Sequence, residues 1–155
     1  MGSGGKVYRS DSADGLSRAV TGQSAWSDYV VEAKVKQSKW YAANSADGVV
    51  DYGFIVRYED INNYYVLLYK GNTGKVCIEK KKAGNLSTLA EMTCSIKDGE
   101  WIDMKAVVSG STLELYVNGE MAVGVKDADI QKGKAGLLVY YADVEYDDFA
   151  VSEIE

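Results

Sequence analysis

Apolar and polar residues alternate with a period of two along most of this chain, in short runs interrupted about every ten residues by Gly, Asn, Asp or Ser. A period of two sends successive side chains to opposite faces of a strand, and many such runs between turn residues are the pattern of an antiparallel sandwich or barrel. The alternation predicts strands over 6–10, 16–21, 29–36, 52–58, 64–70, 75–81 and 88–96, then over 101–109, 112–117, 120–125, 134–141 and 145–152. Asn118-Gly119 between two alternating runs predicts a type I′ hairpin, which needs positive φ at both positions. Gly71 to Gly74, Gly84-Asn85, Asp98-Gly99 and Gly110-Ser111 predict four more turns. A short helical turn is expected at Asp127-Ala128-Asp129-Ile130.

The alternation also assigns faces. Tyr29, Val31, Ala33 and Val35 are expected inside, with Glu32, Lys34 and Lys36 opposite; Leu113, Leu115 and Val117 are expected inside, with Glu114 and Tyr116 outward. Phe54 and Val56 are read as core, which puts Ile55 and Arg57 on the other face. With 155 residues and a hydrophobic fraction of 46%, there is material for one core, so residues 6–155 are read as a single β-sandwich domain. Residues 1–5, Met-Gly-Ser-Gly-Gly, read as a cloning scar and are left out of the fold. The chain contains no proline, for which there is no physical account.

Composition narrows the chemistry. A formal charge of −6 argues against a nucleic-acid partner, which needs clustered Lys and Arg. The basic run Lys80-Lys81-Lys82 lies beside a turn and reads as a solvated hairpin end. No run of about 18 apolar residues is present, so no membrane partner is expected. There is no histidine, which removes the commonest general base, the usual catalytic triads and most zinc sites. Cys77 and Cys94 read either as small buried hydrophobes or as one cross-strand disulfide. Twelve tyrosines and three tryptophans stand against two phenylalanines. Rings with a polar tip enrich both in strands and on surfaces that hold amphipathic ligands.

A series of motifs then points to a family: Trp26-Ser27-Asp28-Tyr29-Val30-Val31-Glu32-Ala33, Gly53-Phe54-Ile55-Val56-Arg57-Tyr58-Glu59-Asp60, Asn63-Tyr64-Tyr65 and Gly99-Glu100-Trp101, followed by Leu115-Tyr116-Val117-Asn118-Gly119, Gly133-Lys134-Ala135-Gly136 and Tyr146-Asp147-Asp148-Phe149-Ala150-Val151. In this order they resemble the laminin-G-like, concanavalin A-like jelly rolls attached to bacterial polysaccharide lyases and glycoside hydrolases. The resemblance implies an all-β, two-sheet antiparallel jelly roll that carries ligands on its concave face, with Arg57 at a recurring arginine position and Trp26 and Trp101 in the core. Such modules open with an extra strand beside the closing one. That strand is expected to be missing here, leaving 145–152, or the strand at that edge, open to a partner strand or a weak homodimer.

The candidate ligand residues are Arg57, Tyr65 and Tyr69, expected on the outer faces of neighbouring strands. There a guanidinium beside rings can bond sugar hydroxyls or a uronate; the alternative is a cross-strand Arg–Tyr stack with no ligand. Trp40 and Tyr41, in a Ser/Ala/Asn/Gly-rich segment, and Tyr140 beside Tyr141 read as ligand contacts or as aromatic lids over the sandwich edge. Asp143, Glu145, Asp147 and Asp148 are hard oxygen ligands suited to Ca²⁺, or else a charged edge that discourages strand addition. No cofactor is otherwise required. The Glu-x-Asp-x-x-Glu pattern of jelly-roll glucanases is absent, and no serine has a histidine to activate it. The expected function is a non-catalytic carbohydrate-binding module, secreted to the extracellular space or cell surface, with polysaccharide or oligosaccharide as its partner. The alternative is a protein-interaction or assembly domain that uses aromatic loops and an open sheet edge.

Overall fold

The computed structural model describes residues 7–11, 16–41, 48 and 50–154. Their alternating sequence folds into twelve strands: β1 (Val7–Asp11), β2 (Leu16–Thr21), β3 (Tyr29–Trp40), β4 (Asp51–Asp60), β5 (Asn63–Lys70) and β6 (Lys75–Lys82), then β7 (Asn85–Thr93), β8 (Trp101–Ser109), β9 (Thr112–Val117), β10 (Glu120–Lys126), β11 (Lys134–Tyr140) and β12 (Ala142–Glu153). The strands form two six-stranded antiparallel sheets, here called the β3 sheet (β1-β12-β3-β8-β9-β10) and the β4 sheet (β2-β11-β4-β5-β6-β7). This is the jelly-roll sandwich that the alternation and the motif series predict. No helix long and apolar enough to cross a membrane occurs among the described residues.

Inward positions follow the period of two. Tyr29, Val31, Ala33 and Val35 of β3, Met104 and Ala106 of β8 and Leu113 and Leu115 of β9 meet Tyr52, Phe54, Tyr65, Leu67, Val76 and Ile78 of the β4 sheet in one buried core. Asn118 (φ 50) and Gly119 (φ 84) both have the positive φ of the predicted I′ turn. Residues 127–130 form an irregular bend, not the expected helical turn, because side chains from the sheets bond the loop in place of a helical ladder.

Three expectations are corrected. β12 is not an open edge: β1 pairs with it from Val7↔Asp147 to Asp11↔Asp143, so the short N-terminal run supplies the neighbour thought to be missing. Trp101 is 44% exposed and not core, because Ile102, Met104, Ala106 and Val108 take the inward positions and strand periodicity turns residue 101 outward under Lys36. The third concerns Arg57. β4 carries a bulge after Val56 and Arg57 has φ 48, so the count of alternating positions slips there and the Arg57 side chain stays on the inner side.

Cys77 and Cys94 are both free. Cys77 is on the outer face of the β4 sheet, while Cys94 packs against the inner core, so the sheet separates them.

Candidate functional site

The outer face of the β4 sheet is apolar, although a sheet face turned away from the core is ordinarily polar. Ile55 of β4, Val66 and Leu68 of β5, Cys77 of β6 and Leu138 of β11 form a second buried cluster there, with Tyr64 in it and Tyr58 and Tyr140 packed on it. The register explains the grouping: Ile55 stands opposite Val66, Leu68 opposite Cys77, and Leu138 opposite Gly53. At one end of the strip Tyr58 and Tyr64 stack with ring centroids 5.6 Å apart, and Lys81 lies 5.7 Å over the Tyr64 ring. At the other end Tyr140 meets Tyr141 edge-on at 4.7 Å.

A charged bridge crosses the strip. Lys70 Nζ is 3.3 Å from Glu79 Oε2 and 3.7 Å from Asp51 Oδ2, and both carboxylates are nearly buried. On this face the Lys70–Lys75 and Val66–Glu79 rows flank the Leu68–Cys77 row, so the joined side chains of Lys70 and Glu79 roof it. Burial alone would lower the Lys70 pKa, but the charges of Glu79 and Asp51 outweigh it and hold the ammonium above its ordinary value. Burial, with Glu79 nearby, pushes the Cys77 thiol up to about 12, so it is a protonated, unreactive side chain.

The residues singled out from the sequence lie elsewhere, Tyr140 excepted. Arg57, Tyr65 and Tyr69 do not share an outer face; all three are buried, the tyrosines inside the main core. Arg57 closes one end of the sandwich. Its Nε and Nη2 donate to the Ser27 carbonyl (3.1 and 2.9 Å), Nη1 donates to the Ile130 carbonyl (3.1 Å), and Nη2 meets Asp28 Oδ1 at 3.3 Å. Its backbone N–H donates to Tyr29 Oη at 2.6 Å. Gly133 permits this close approach, since a Cβ there would stand 2.3 Å from the Arg57 carbonyl carbon. Tyr65 Oη bonds the Asp127 carboxylate. With the guanidinium spent on three protein groups, it is not free to grip a uronate.

Trp40 closes the other end. It ends β3, stacks 5.8 Å from Tyr52 at 15°, and donates its indole N–H to Asp98 at 3.2 Å. Tyr41 donates its hydroxyl to Asp143 Oδ2 at 3.1 Å, with Lys39 4.9 Å over its ring. Asp143, Glu145, Asp147 and Asp148, the carboxylates proposed for calcium, are spread along β12. Asp143, Glu145 and Asp147 alternate along one face with Lys39, Lys36 and Lys34 opposite them, and no group of three metal-holding side chains occurs among the described residues. The signal for the outer strip was present in the sequence: β5 and β11, Asn-Tyr-Tyr-Val-Leu-Leu-Tyr-Lys and Lys-Ala-Gly-Leu-Leu-Val-Tyr, are apolar at consecutive positions rather than alternating.

A family model described as the 3-keto-alpha-glucoside-1,2-lyase-like domain matches residues 3–152. No curated protein matches. Among solved structures, the carbohydrate-binding module CBM66 from Bacillus subtilis superposes with a TM-score of 0.76 at 20% identity, over 90% of this chain and 83% of that one. The galectin LEC-6 from Caenorhabditis elegans does so with 0.67 at 10% identity, over 94% and 96%. The GH43 protein BlXynB from Bacillus licheniformis gives 0.60 at 19% identity, over 87% of this chain but only 29% of its own. At these identities the likeness is one of fold.

Proposed function

The chain belongs to the 3-keto-alpha-glucoside-1,2-lyase-like domain family, and from the outer face of the β4 sheet we propose that this member is a non-catalytic carbohydrate-binding module. A polysaccharide lies across β11, β4, β5 and β6, outside the cell where such polymers occur. The observation that carries this reading is the apolar strip with tyrosines at both ends and ionic groups over its middle. A sugar ring has an apolar face and a polar rim, so it needs flat rings to lie on and fixed charged groups to bond its hydroxyls. Tyr58 and Tyr140 supply the first, with Tyr64 buried beneath Tyr58 and Lys81, and Lys70, Glu79 and Lys81 supply the second. Two structural neighbours are by name a carbohydrate-binding module and a galectin, which supports the class of ligand. The absence of any histidine, and the ion pairing of Asp51 and Glu79 with Lys70, support a binding role rather than a catalytic one.

A glycan array followed by calorimetry tests the reading. Tyr58→Ala and Tyr140→Ala are each expected to weaken the best glycan roughly tenfold or more, the cost of losing a hot-spot ring, with the far-UV spectrum unchanged. Release of a smaller product from that glycan, or unchanged affinity in both variants, overturns it.

A second reading, strand addition from a partner or a second copy, is favoured by one observation. β7 is the longest of the four edge strands at 9 residues, and its single charge, Glu91, is bridged to Lys75 at 3.2 Å. It thus lacks the free charges that protect edges. Light scattering that shows only monomer at high concentration removes it.

A further inference from the structure

The end of the sandwich closed by Arg57 holds a cleft separate from the tyrosine face. It measures about 390 Å³ and is lined by Ser27 and Asp28 ahead of β3, Gly110 and Ser111 from the β8–β9 turn, and Ala128 and Gln131 from the β10–β11 loop, with Arg57 at its base.

Its walls are held in place from beneath. Asp28 Oδ1 accepts from the Gly110 N–H at 2.9 Å and pairs with Arg57, which fixes the carboxylate, and Oδ2 has no hydrogen-bond partner among the described residues. The β10–β11 loop is pinned at several points: Lys80 Nζ bonds Asp127 at 2.9 Å and also Asp129, the Ile130 N–H donates to Tyr65 Oη at 3.1 Å, and Arg57 donates to the Ile130 carbonyl. Ala128 and Gln131 are nevertheless exposed. Gln131, which lines the cleft, donates from Nε2 to the Ala128 carbonyl at 3.4 Å, and that bond does not use its Oε1. A loop this firmly held, carrying outward groups that the core does not use, has the build of a preorganised site.

The open groups define the ligand. Arg57 and Asp28 cancel in charge, so the cleft favours a neutral molecule. Asp28 Oδ2 and Gln131 Oε1 are acceptors, and the Ser27 and Ser111 hydroxyls can accept or donate. Among the described residues no ring lines the cleft, so hydrogen bonds rather than stacking would hold a ligand there. Its size is near the lower end for small-molecule sites. We propose that this cleft is a second saccharide site, which takes one neutral sugar residue end-on by accepting hydrogen bonds from its vicinal hydroxyls. It does not depend on the tyrosine face.

The test is a titration of the ¹⁵N-labelled chain with the methyl glycosides of glucose, galactose and mannose, with methyl glucuronide as the charged control. At least one neutral glycoside is expected to shift the amides of Gly110, Ser111, Ala128 and Gln131 saturably at millimolar concentration, and glucuronide more weakly. Gln131→Ala, at an exposed position, should weaken that response threefold or more, and Asp28→Asn tenfold or more. Tyr140→Ala should leave it unchanged. The proposal fails if those four amides stay still to tens of millimolar with every neutral glycoside, if glucuronide moves them as strongly, or if Gln131→Ala changes nothing. Shifts confined to Ile55, Val66 and Leu68 would sink this cleft and keep the tyrosine face, and the reverse pattern would do the opposite.

Discussion

Arg57 shows how one residue's backbone decides its role. At an unbulged strand position its side chain would alternate outward from Val56; at φ 48 it remains inward, 1% exposed, and its guanidinium ties together the segment before β3, the β10–β11 loop and the end of β4. Removing it leaves the carbonyl of buried Ile130 and the carbonyl of Ser27, at the cleft rim, without their donors and strips Asp28 of its ion pair. Each such orphan costs on the order of 1–3 kcal/mol. Arg57→Ala is therefore expected to destabilise the fold by roughly 2–4 kcal/mol, read by denaturant unfolding, while glycan affinity at the tyrosine face changes little. A variant that unfolds like the parent but loses the glycan would return Arg57 to the role of ligand anchor.

Among the elements, β4, β5, β6 and β11 differ from the rest in being buried on both faces. β3, β8 and β9 alternate cleanly and turn Glu32, Lys34, Asp103, Lys105 and Tyr116 outward, whereas the outer face of the β4 sheet carries the strip beneath the Lys70–Glu79 bridge. Cys77 reports on that cover. With its thiol fully buried and its pKa pushed up to about 12, it is expected to resist a thiol reagent at pH 8 in the folded chain and to react once denaturant opens the sheet. Because the two cysteines are on opposite sides of the β4 sheet, a reducing agent should leave the melting temperature unchanged. Fast labelling of native Cys77 would show that the Lys70–Glu79 bridge opens readily.

At the scale of the whole molecule, the charge inventory sets the response to pH. No histidine titrates between about pH 5 and 8, and stability is expected to be flat there. The alkaline side differs. Burial raises the hydroxyl pKa of Tyr29 and Tyr65 to about 12 in the folded chain, against about 10 when unfolded. Between those values the unfolded state has lost protons that the folded state retains, so stability is complete below about pH 10 and falls as pH rises toward 12. Lys70, also raised, acts in the same direction: its ion pairs stabilise the fold until the ammonium deprotonates. Unfolding free energies measured from pH 6 to 12 should show a plateau and then a decline; a decline between pH 6 and 8 would contradict this account.

The same scales separate what was legible in the sequence from what was not. Period-two alternation and turn chemistry are local, carried by adjacent residues. The twelve strands, the Asn118-Gly119 hairpin and the inward set Tyr29, Val31, Ala33 and Val35 therefore follow from the sequence alone. Pairing is not local. That β1 lies beside β12 depends on which edge remains when ten other strands have packed, and five residues carry no mark of it. Nor is a bulge local to the residue it re-aims: the slip after Val56 exists because β4 must keep register with β5 on one side and β11 on the other, and it moved Arg57 from the outer face to the core. The candidate faces were decided by assembly too. Tyr58, Tyr64 and Tyr140 come from three strands that the sequence holds up to 82 positions apart, and only the strand order β11-β4-β5 places them over one apolar strip.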